Sequence, residues 1–264
     1  MPTPEAGTLS RAAVLAVGAL AAMASACGSP AAKPSTATTG RAPSAAPSSP
    51  TTAYYHPTID PSQFSPSVTN KYFPLTPGTT LVYDGARDGE PQHTEATVTA
   101  ETKTIMGVRC VVVRDVVTRN GVLAEKTTDW YAQAANGDVW YFGEATAEYA
   151  QGSIKSTKGS WEAGVDSAQP GIILKGTPRV GDSYRQEYRP GEAEDVAKVL
   201  RIDPSVQVPG GTFGDVVVTE DSDPLNPDKI DEKRYASGVG LVYTRRDRAG
   251  HHEDSSYVKT ISAG

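Results

Sequence analysis

The sequence has no dense cluster of lysine or arginine. Its 25 basic residues are outnumbered by 31 acidic ones, which gives a formal net charge of -6 at pH 7. Nucleic-acid binding depends on neutralising phosphates with lysine and arginine, so an acidic chain gains nothing from a phosphate backbone. We therefore expect no nucleic-acid partner.

Long hydrophobic runs are also missing. The most apolar stretch, residues 12–23, is too short for a permanent membrane-spanning helix, which needs roughly 20 apolar residues. It has the length of the hydrophobic region of a signal peptide, and the small residues Ala24, Ser25 and Ala26 follow it. The sequence therefore predicts a signal peptide over residues 1–26. It predicts no membrane-spanning helix.

Cysteine is scarce, and one of the two cysteines, Cys27, directly follows these small residues. The pattern, continued by Gly28 and Ser29, resembles the lipobox of bacterial lipoproteins, although that family favours leucine where this chain has Ala24. The resemblance implies that the Cys27 sulfur carries a diacylglycerol and that its freed amine can take a third acyl chain. Each buried methylene contributes about 0.8 kcal/mol, so two or three chains would hold the protein durably at a membrane. We expect the protein at the extracytoplasmic face of the cell membrane; the alternative is an ordinary secreted protein.

The stretch after Cys27 lacks large apolar side chains. Residues 28–53 contain no aromatic residue and no aliphatic residue larger than alanine. Such a segment cannot bury enough apolar surface to offset the entropy lost on ordering. The sequence predicts a lipidated N-terminus and disordered linker over residues 27–53, which would hold the body of the protein on the order of 30 Å from the membrane.

Residues 54–264 have the pattern of a single antiparallel β domain. Apolar and polar residues alternate with period two, as in residues 94–103, and Asn120-Gly121 and Asn136-Gly137 supply turn signals between strand-like runs. Convincing amphipathic helices are absent; the best candidate, residues 191–201, is as easily a strand. We predict a mainly β fold, one strongly curved antiparallel sheet or open barrel. The predicted strands are residues 79–84, 94–103, 108–118, 122–133, 139–149, 153–161, 183–188, 196–202, 213–220, 240–246 and 256–261.

Three segments of this domain carry a second resemblance. They are the NKYFPLTPGT sequence at residues 70–79, which contains FPLTPG, the VPGGTF sequence at residues 208–213 and the YASGVGLV sequence at residues 235–242. Together they resemble a loose group of uncharacterised bacterial exported β proteins, some of which are predicted to share the half-barrel of the Lol-type lipoprotein carriers. The resemblance implies a fold and no chemistry.

The candidate site lies in the middle of the domain, where tryptophans stand beside carboxylates. Aromatic rings next to carboxylates are how proteins hold sugars or cationic groups, and two carboxylates at the right spacing can hydrolyse a glycosidic bond. The simpler interpretation is packing, because adjacent residues of a strand point to opposite faces. The predicted binding surface comprises Trp130, Trp140, Trp161, Tyr141, Asp129 and Glu144.

The remaining candidates offer no metal site or cofactor site. The four histidines lack metal-ligand spacing, although His251 and His252 at a predicted hairpin tip could take zinc weakly. Oxygen ligands for calcium cluster at residues 221–228, without the glycine and final glutamate of an EF-hand. Cys110, left without a partner if Cys27 is lipidated, is predicted to be a small core side chain. We predict no catalytic residue, no metal and no cofactor.

The sequence thus predicts a membrane-anchored extracytoplasmic lipoprotein with a non-catalytic binding role. Its ligand could be a hydrophobic molecule, a wall glycan or another envelope protein. One alternative is an envelope hydrolase that uses carboxylates near the tryptophans. The other is a purely structural interaction module. The sequence does not choose the ligand.

Overall fold

A computed structural model describes residues 55–248 and 250–262. The predicted signal peptide, Cys27 and the whole of the predicted linker lie outside these residues. Within the described part of the chain, no helix has the length and apolar character needed to cross a membrane.

The described residues form sixteen strands and one 3-10 turn, Pro61–Gln63. The strands are β1 Phe64–Ser65, β2 Thr79–Arg87, β3 Glu90–Ile105, β4 Val108–Arg119, β5 Val122–Ala134, β6 Val139–Ala150, β7 Ser153–Ser156, β8 Trp161–Glu162, β9 Gln169–Leu174, β10 Ser183–Arg185, β11 Glu187–Tyr188, β12 Val196–Val208, β13 Gly211–Asp223, β14 Asn226–Ala236, β15 Gly240–Arg248 and β16 His251–Ser262.

All pairings are antiparallel, and the strands form one sheet that curves into a nearly closed barrel. The last strand, β16, pairs with β2, so the two halves of the chain join there. The two ends of the sheet meet at a seam formed by residues 183–188. The start of this segment, β10, pairs with β12, while its end, β11, pairs with β9. The prediction of a mainly β fold with one curved antiparallel sheet is confirmed.

Tight turns with left-handed backbone join the long strands. Asn120 and Gly121 both have positive φ, 48° and 75°, between β4 and β5. Gly137, with φ 88°, lies in the turn between β5 and β6. Asparagine and glycine tolerate this conformation best, and the two turns lie where the sequence predicts them, at Asn120-Gly121 and Asn136-Gly137.

Several strand boundaries differ from the prediction. Residues 153–161 are divided between β7 and β8, and residues 183–188 between β10 and β11. The candidate helix at residues 191–201 instead leads into strand β12. The sequence prediction missed β9, β14 and the first residues of β16. In β14 the inward side chains are charged, so no apolar period marked it as a strand.

One end of the barrel is closed by the segment before β2. Phe73 packs edge-on against Tyr131 at 5.3 Å and tilted against Tyr235 at 6.3 Å, both of them fully buried rings. Phe73 belongs to the FPLTPG sequence, so that motif serves the fold by inserting an aromatic plug.

A second apolar cluster forms where the hairpin between β12 and β13 contacts β16. The backbone N–H of Gly210 donates to the carbonyl of Tyr257 at 2.9 Å. A Cβ on Gly210 would lie 2.6 Å from the Tyr257 ring, so glycine is required there. Phe213 then packs edge-on against the same ring at 5.7 Å. The VPGGTF sequence therefore anchors this hairpin to the barrel.

Candidate functional site

Register places three of the predicted site residues side by side inside the barrel. Asp129 of β5 lies opposite Glu144 of β6, and Glu144 lies opposite Trp161 of β8. The inward face of β5 also carries Glu125 and Thr127, in keeping with the period of two along a strand. All of these side chains are buried.

Aromatic rings cover this carboxyl row. Tyr141 and Tyr131 stack with their centroids 4.8 Å apart, and Trp161 stands edge-on to Tyr141 at 5.3 Å. The Tyr141 hydroxyl donates a hydrogen bond of 2.5 Å to Asp129 Oδ1. One buried group therefore contains Asp129, Tyr141, Glu144 and Trp161. We use the name interior acid cluster for these four residues and three further buried acids, Asp115, Glu125 and Glu187.

The other two predicted residues lie elsewhere. Trp130 points to the opposite face of β5, where Lys103 Nζ lies 3.6 Å from its ring centroid and also pairs with Glu162 at 2.6 Å. Trp140 is half-buried and packs edge-on against Phe64 at 6.0 Å. The six predicted residues thus lie on two faces of the sheet, because neighbours along a strand alternate.

Burial dominates the electrostatics of the interior acid cluster. It raises the pKa of Asp129 to about 6 and that of Glu125 to about 8. Burial, and then the charge of Asp129, raises the pKa of Asp115, whose carboxyl contacts that of Asp129. Two neighbouring carboxylates repel each other, which favours a form of this pair that carries a proton.

The cluster continues to the seam of the barrel. Burial and the charge of Glu187 raise the pKa of Glu144, while burial and the charge of Asp195 raise that of Glu187. Neither oxygen of Glu187 has a hydrogen-bond partner in the described part of the chain. Burial therefore favours the neutral form of these carboxyl groups over the carboxylate.

The far side of the interior holds ion pairs that sequence reasoning missed. Lys229 pairs with Asp195 at 3.2 Å, Lys233 with Asp221 at 2.7 Å, and Arg246 Nη2 with Asp231 Oδ2 at 2.7 Å. Lys229, Asp231 and Lys233 alternate along β14. This period of two was a usable signal, but charged residues are seldom buried and the pattern indicated a solvated segment.

Acids outnumber bases inside the barrel. Among the described residues, ten buried side chains are carboxylic acids and two are lysines. Ion pairs therefore satisfy only part of these acids, and others, such as Asp223 and Glu253, accept hydrogen bonds.

The oxygen-rich residues 221–228 do not converge on one point. Asp221 pairs with Lys233, while Asp223 accepts hydrogen bonds from the Leu225 N–H at 2.9 Å and from Asn226 Nδ2 at 2.5 Å. Asp228 lies in an outer groove described below. Across the described ranges, no group of three or more His, Cys, Asp or Glu side chains has an arrangement able to hold a metal ion.

The barrel interior also contains a small apolar cavity near the aromatic plug. Its volume is about 30 Å³, and Phe73, Leu81, Tyr83 and Val98 are among the residues that line it. A space of this size could contain about one water molecule, but its apolar walls offer few hydrogen-bond partners.

A much larger concavity, of about 790 Å³, lies open on the outside of β12–β16. We call it the outer groove. Its lining residues are Leu200, Glu220, Asp228, Ile230, Glu232, Arg245, Asp247, Gly250, His251 and His252. The predicted hairpin tip with His251 and His252 forms one end. Their rings contact Asp88 at 2.9 Å and Asp247 at 2.7 Å, respectively.

No protein-family model matches the sequence, and no curated protein matches it. Two solved structures are similar to the chain. One, from Bacteroides fragilis, is described as an exported protein with a YmcC-like fold; it is 13% identical, with a TM-score of 0.45, and the match covers 72% of this chain and 99% of that one. The other, from Parabacteroides distasonis, is described as a lipoprotein; it is 15% identical, with a TM-score of 0.40, and the match covers 72% of this chain and 98% of that one.

Cys110, the cysteine in the described part of the chain, is buried in the first apolar cluster. Burial raises the pKa of its thiol to about 12. A thiol with so little thiolate is a poor nucleophile at neutral pH.

Proposed function

We propose that the protein is a lipoprotein held through Cys27 at the extracytoplasmic face of the membrane, where it binds an envelope component without catalysis. The anchor rests on the lipobox-like sequence before Cys27 and on the apolar-poor segment after it. The binding role rests on one contrast among the described residues: the carboxyl groups inside the barrel are buried, while the outer groove is open.

The sealed interior argues against the hydrolase alternative. Glycoside hydrolysis needs both carboxyl groups to reach the sugar and a water molecule. Asp129 and Glu144 are 0% and 1% exposed, and Asp129 Oδ1 already accepts a hydrogen bond from the Tyr141 hydroxyl. A glycosidic bond has no path to them in this conformation.

The cavity volumes rank the three kinds of ligand. Ligand pockets usually measure about 300–1,000 Å³. The apolar cavity of about 30 Å³ is far too small for an acyl chain, whereas the outer groove of about 790 Å³ falls within that range. A hydrophobic carrier function is therefore the least supported, and a partner that docks from outside is the best supported.

Fractionation of the native host tests the anchor. A Cys27→Ser variant should leave the membrane fraction for the soluble extracytoplasmic fraction or the medium, because it lacks the sulfur that would carry lipid. The matched control is Cys110→Ser, which changes the buried cysteine and should stay with the membrane. Retention of Cys27→Ser in the membrane would show that the anchor lies elsewhere.

Site-specific photo-crosslinking in living cells tests the binding role. A photoreactive residue replaces Ile230, 46% exposed in the outer groove, or Val122, 61% exposed at the start of β5. We expect a discrete crosslinked product from position 230 and none from position 122. Equal products from both positions, or none from either, would contradict docking in the groove.

A further inference from the structure

The outer groove lies on the face of the sheet opposite the buried ion pairs. Asp221 of β13 and Lys233 of β14 point inward, so Glu220 and Glu232 between them point outward. Glu220 lies directly opposite Glu232, and Glu232 lies opposite Arg245 of β15. A line of charged side chains therefore crosses the groove perpendicular to the strands.

Apolar side chains interrupt these charges. The register of β12 shifts between Val199 and Arg201, and this irregularity leaves Leu200 without a partner residue in β13. Leu200 lines the groove with Ile230, whose side chain is 46% exposed. The groove thus offers two aliphatic contacts between acidic walls.

The groove carries an excess of negative charge. Among its described lining residues are four carboxylates, Glu220, Asp228, Glu232 and Asp247, against the single arginine Arg245. Glu232 already pairs with Arg234 at 2.7 Å, and Asp247 with Arg245 at 2.9 Å. Neither Glu220 nor Asp228 has an ion pair or side-chain hydrogen bond with any residue that the structure describes.

Glu220 faces Glu232 across neighbouring strands, and the ion pairs of Glu232 with Arg201 at 3.4 Å and with Arg234 at 2.7 Å offset this like-charge repulsion. A cation delivered from outside would therefore meet Glu220 and Asp228, the two carboxylates of the groove without an ion pair to a described residue. Aliphatic side chains on the same partner would cover Leu200 and Ile230.

We propose that the outer groove binds a basic amphipathic peptide segment of an envelope protein, with lysine or arginine against Glu220 and Asp228 and an aliphatic side chain against Ile230. This assignment rests on the proposed binding function and gives the partner its chemistry. Charge complementarity selects a basic partner over an acidic one. The paired aliphatic contacts select an amphipathic peptide over a purely polar chain.

The test uses the full chain in detergent and a fluorescent peptide of about 12 residues that alternates lysine and leucine. A peptide of the same length that alternates glutamate and leucine is the matched probe. Fluorescence anisotropy should detect binding of the lysine peptide alone, with an affinity that falls as salt increases.

Variants of the groove locate the contact. Glu220→Gln combined with Asp228→Asn should weaken binding of the lysine peptide about fivefold, the sum expected from two exposed ion pairs. Ile230→Ser should weaken it about tenfold through lost apolar contact. The control is Glu90→Gln combined with Glu101→Gln, two exposed glutamates of β3, which should leave the affinity unchanged.

Equal binding of the two peptides, or loss of affinity in the β3 control alone, would overturn the assignment of a basic partner. Displacement of the lysine peptide by chito-oligosaccharide would indicate a glycan site instead. Concentration-dependent dimerisation that blocks the peptide would indicate a second copy of this chain as the occupant. If crosslinking at position 230 succeeds and the lysine peptide fails to bind, the proposed binding function stands and the basic partner is wrong.

Discussion

The free energy of unfolding should fall as the pH rises, because buried acids ionise. Replacement of Glu125 by glutamine should remove a large part of this fall. Glu125 is buried on β5, and its Oε1 accepts a hydrogen bond from the Thr127 hydroxyl at 3.1 Å. Burial raises the pKa of its carboxyl from 4.5 to about 8. Glutamine has nearly the same shape, keeps an oxygen for Thr127 and cannot ionise.

The sign follows from proton linkage. Below pH 4.5 the carboxyl is protonated in both the folded and the unfolded protein, so its contribution is most favourable there. Between pH 4.5 and about pH 8 the unfolded chain gives up the proton first, and the free energy of unfolding falls. At about 1.4 kcal/mol for each pH unit, this interval amounts to roughly 5 kcal/mol.

Urea unfolding, followed by tryptophan fluorescence at several pH values, measures this contribution. Other buried acids titrate in both proteins, so the difference between wild type and Glu125→Gln isolates Glu125. We expect that difference to grow by several kcal/mol in favour of glutamine between acid pH and pH 8. The exposed control, Glu90→Gln, should show no such growth. A difference that does not change with pH would refute the assignment of Glu125 as a buried neutral acid.

Three further changes test other parts of the structure. Lys233→Met leaves the buried carboxylate of Asp221 without its cation, and should lower the free energy of unfolding by about 3–5 kcal/mol; unchanged urea unfolding would contradict the ion pair. Gly143→Ala puts a Cβ 2.3 Å from the Trp161 carbonyl oxygen at φ 135°, and should cost about 2 kcal/mol or more. Gly89→Ala, at φ 83° with nothing within 4 Å, should cost only about 1 kcal/mol in the same assay, and equal costs would contradict the close approach. The thiol of Cys110, with its pKa raised by burial to about 12, should react with a thiol reagent only on unfolding; rapid reaction of the native protein would show that it is accessible.

The class of fold could be predicted because the outward and inward residues of most long strands differ in polarity. The buried Ala96 and Val98, which alternate with Glu95 and Thr97 along β3, and the Asn120-Gly121 turn carried that signal. In β14 the alternating residues Lys229, Asp231 and Lys233 are charged, and they are buried by pairing with opposite charges elsewhere in the chain. Such pairing depends on residues distant in the sequence, and local patterns do not contain it.

The candidate site was only partly predictable for the same reason. Asp129 and Glu144 could be predicted because they are carboxylates close to tryptophans in the sequence. Cross-strand register brings them together with Trp161. Their complete burial depends on closure of the barrel at the seam, where Glu187 enters from a separate segment. The outer groove depends on five strands and an irregularity at Leu200, so no single stretch of sequence could reveal it.

The interior acid cluster also gives the barrel a definite response to pH. Because burial raises the pKa of Asp129 in this cluster to about 6, and also that of Asp195 beside it to about 6, these two acids begin to ionise in the neutral range. Both acids have folded-state pKa values above the ordinary range, so each stabilises the fold most in acid and loses that contribution as pH rises through its pKa. We therefore expect the wild-type protein to be more stable at mildly acidic pH than at alkaline pH.

The placement of the protein at the membrane is tested most directly by the mass of its mature form. The protein is extracted with detergent from the membranes of its own host and measured intact, and its N-terminal peptide is then sequenced. We expect a mature chain that begins at Cys27 and carries the mass of two or three acyl chains on that residue. A mature chain that begins at another residue, or one that carries no fatty acid, would contradict it.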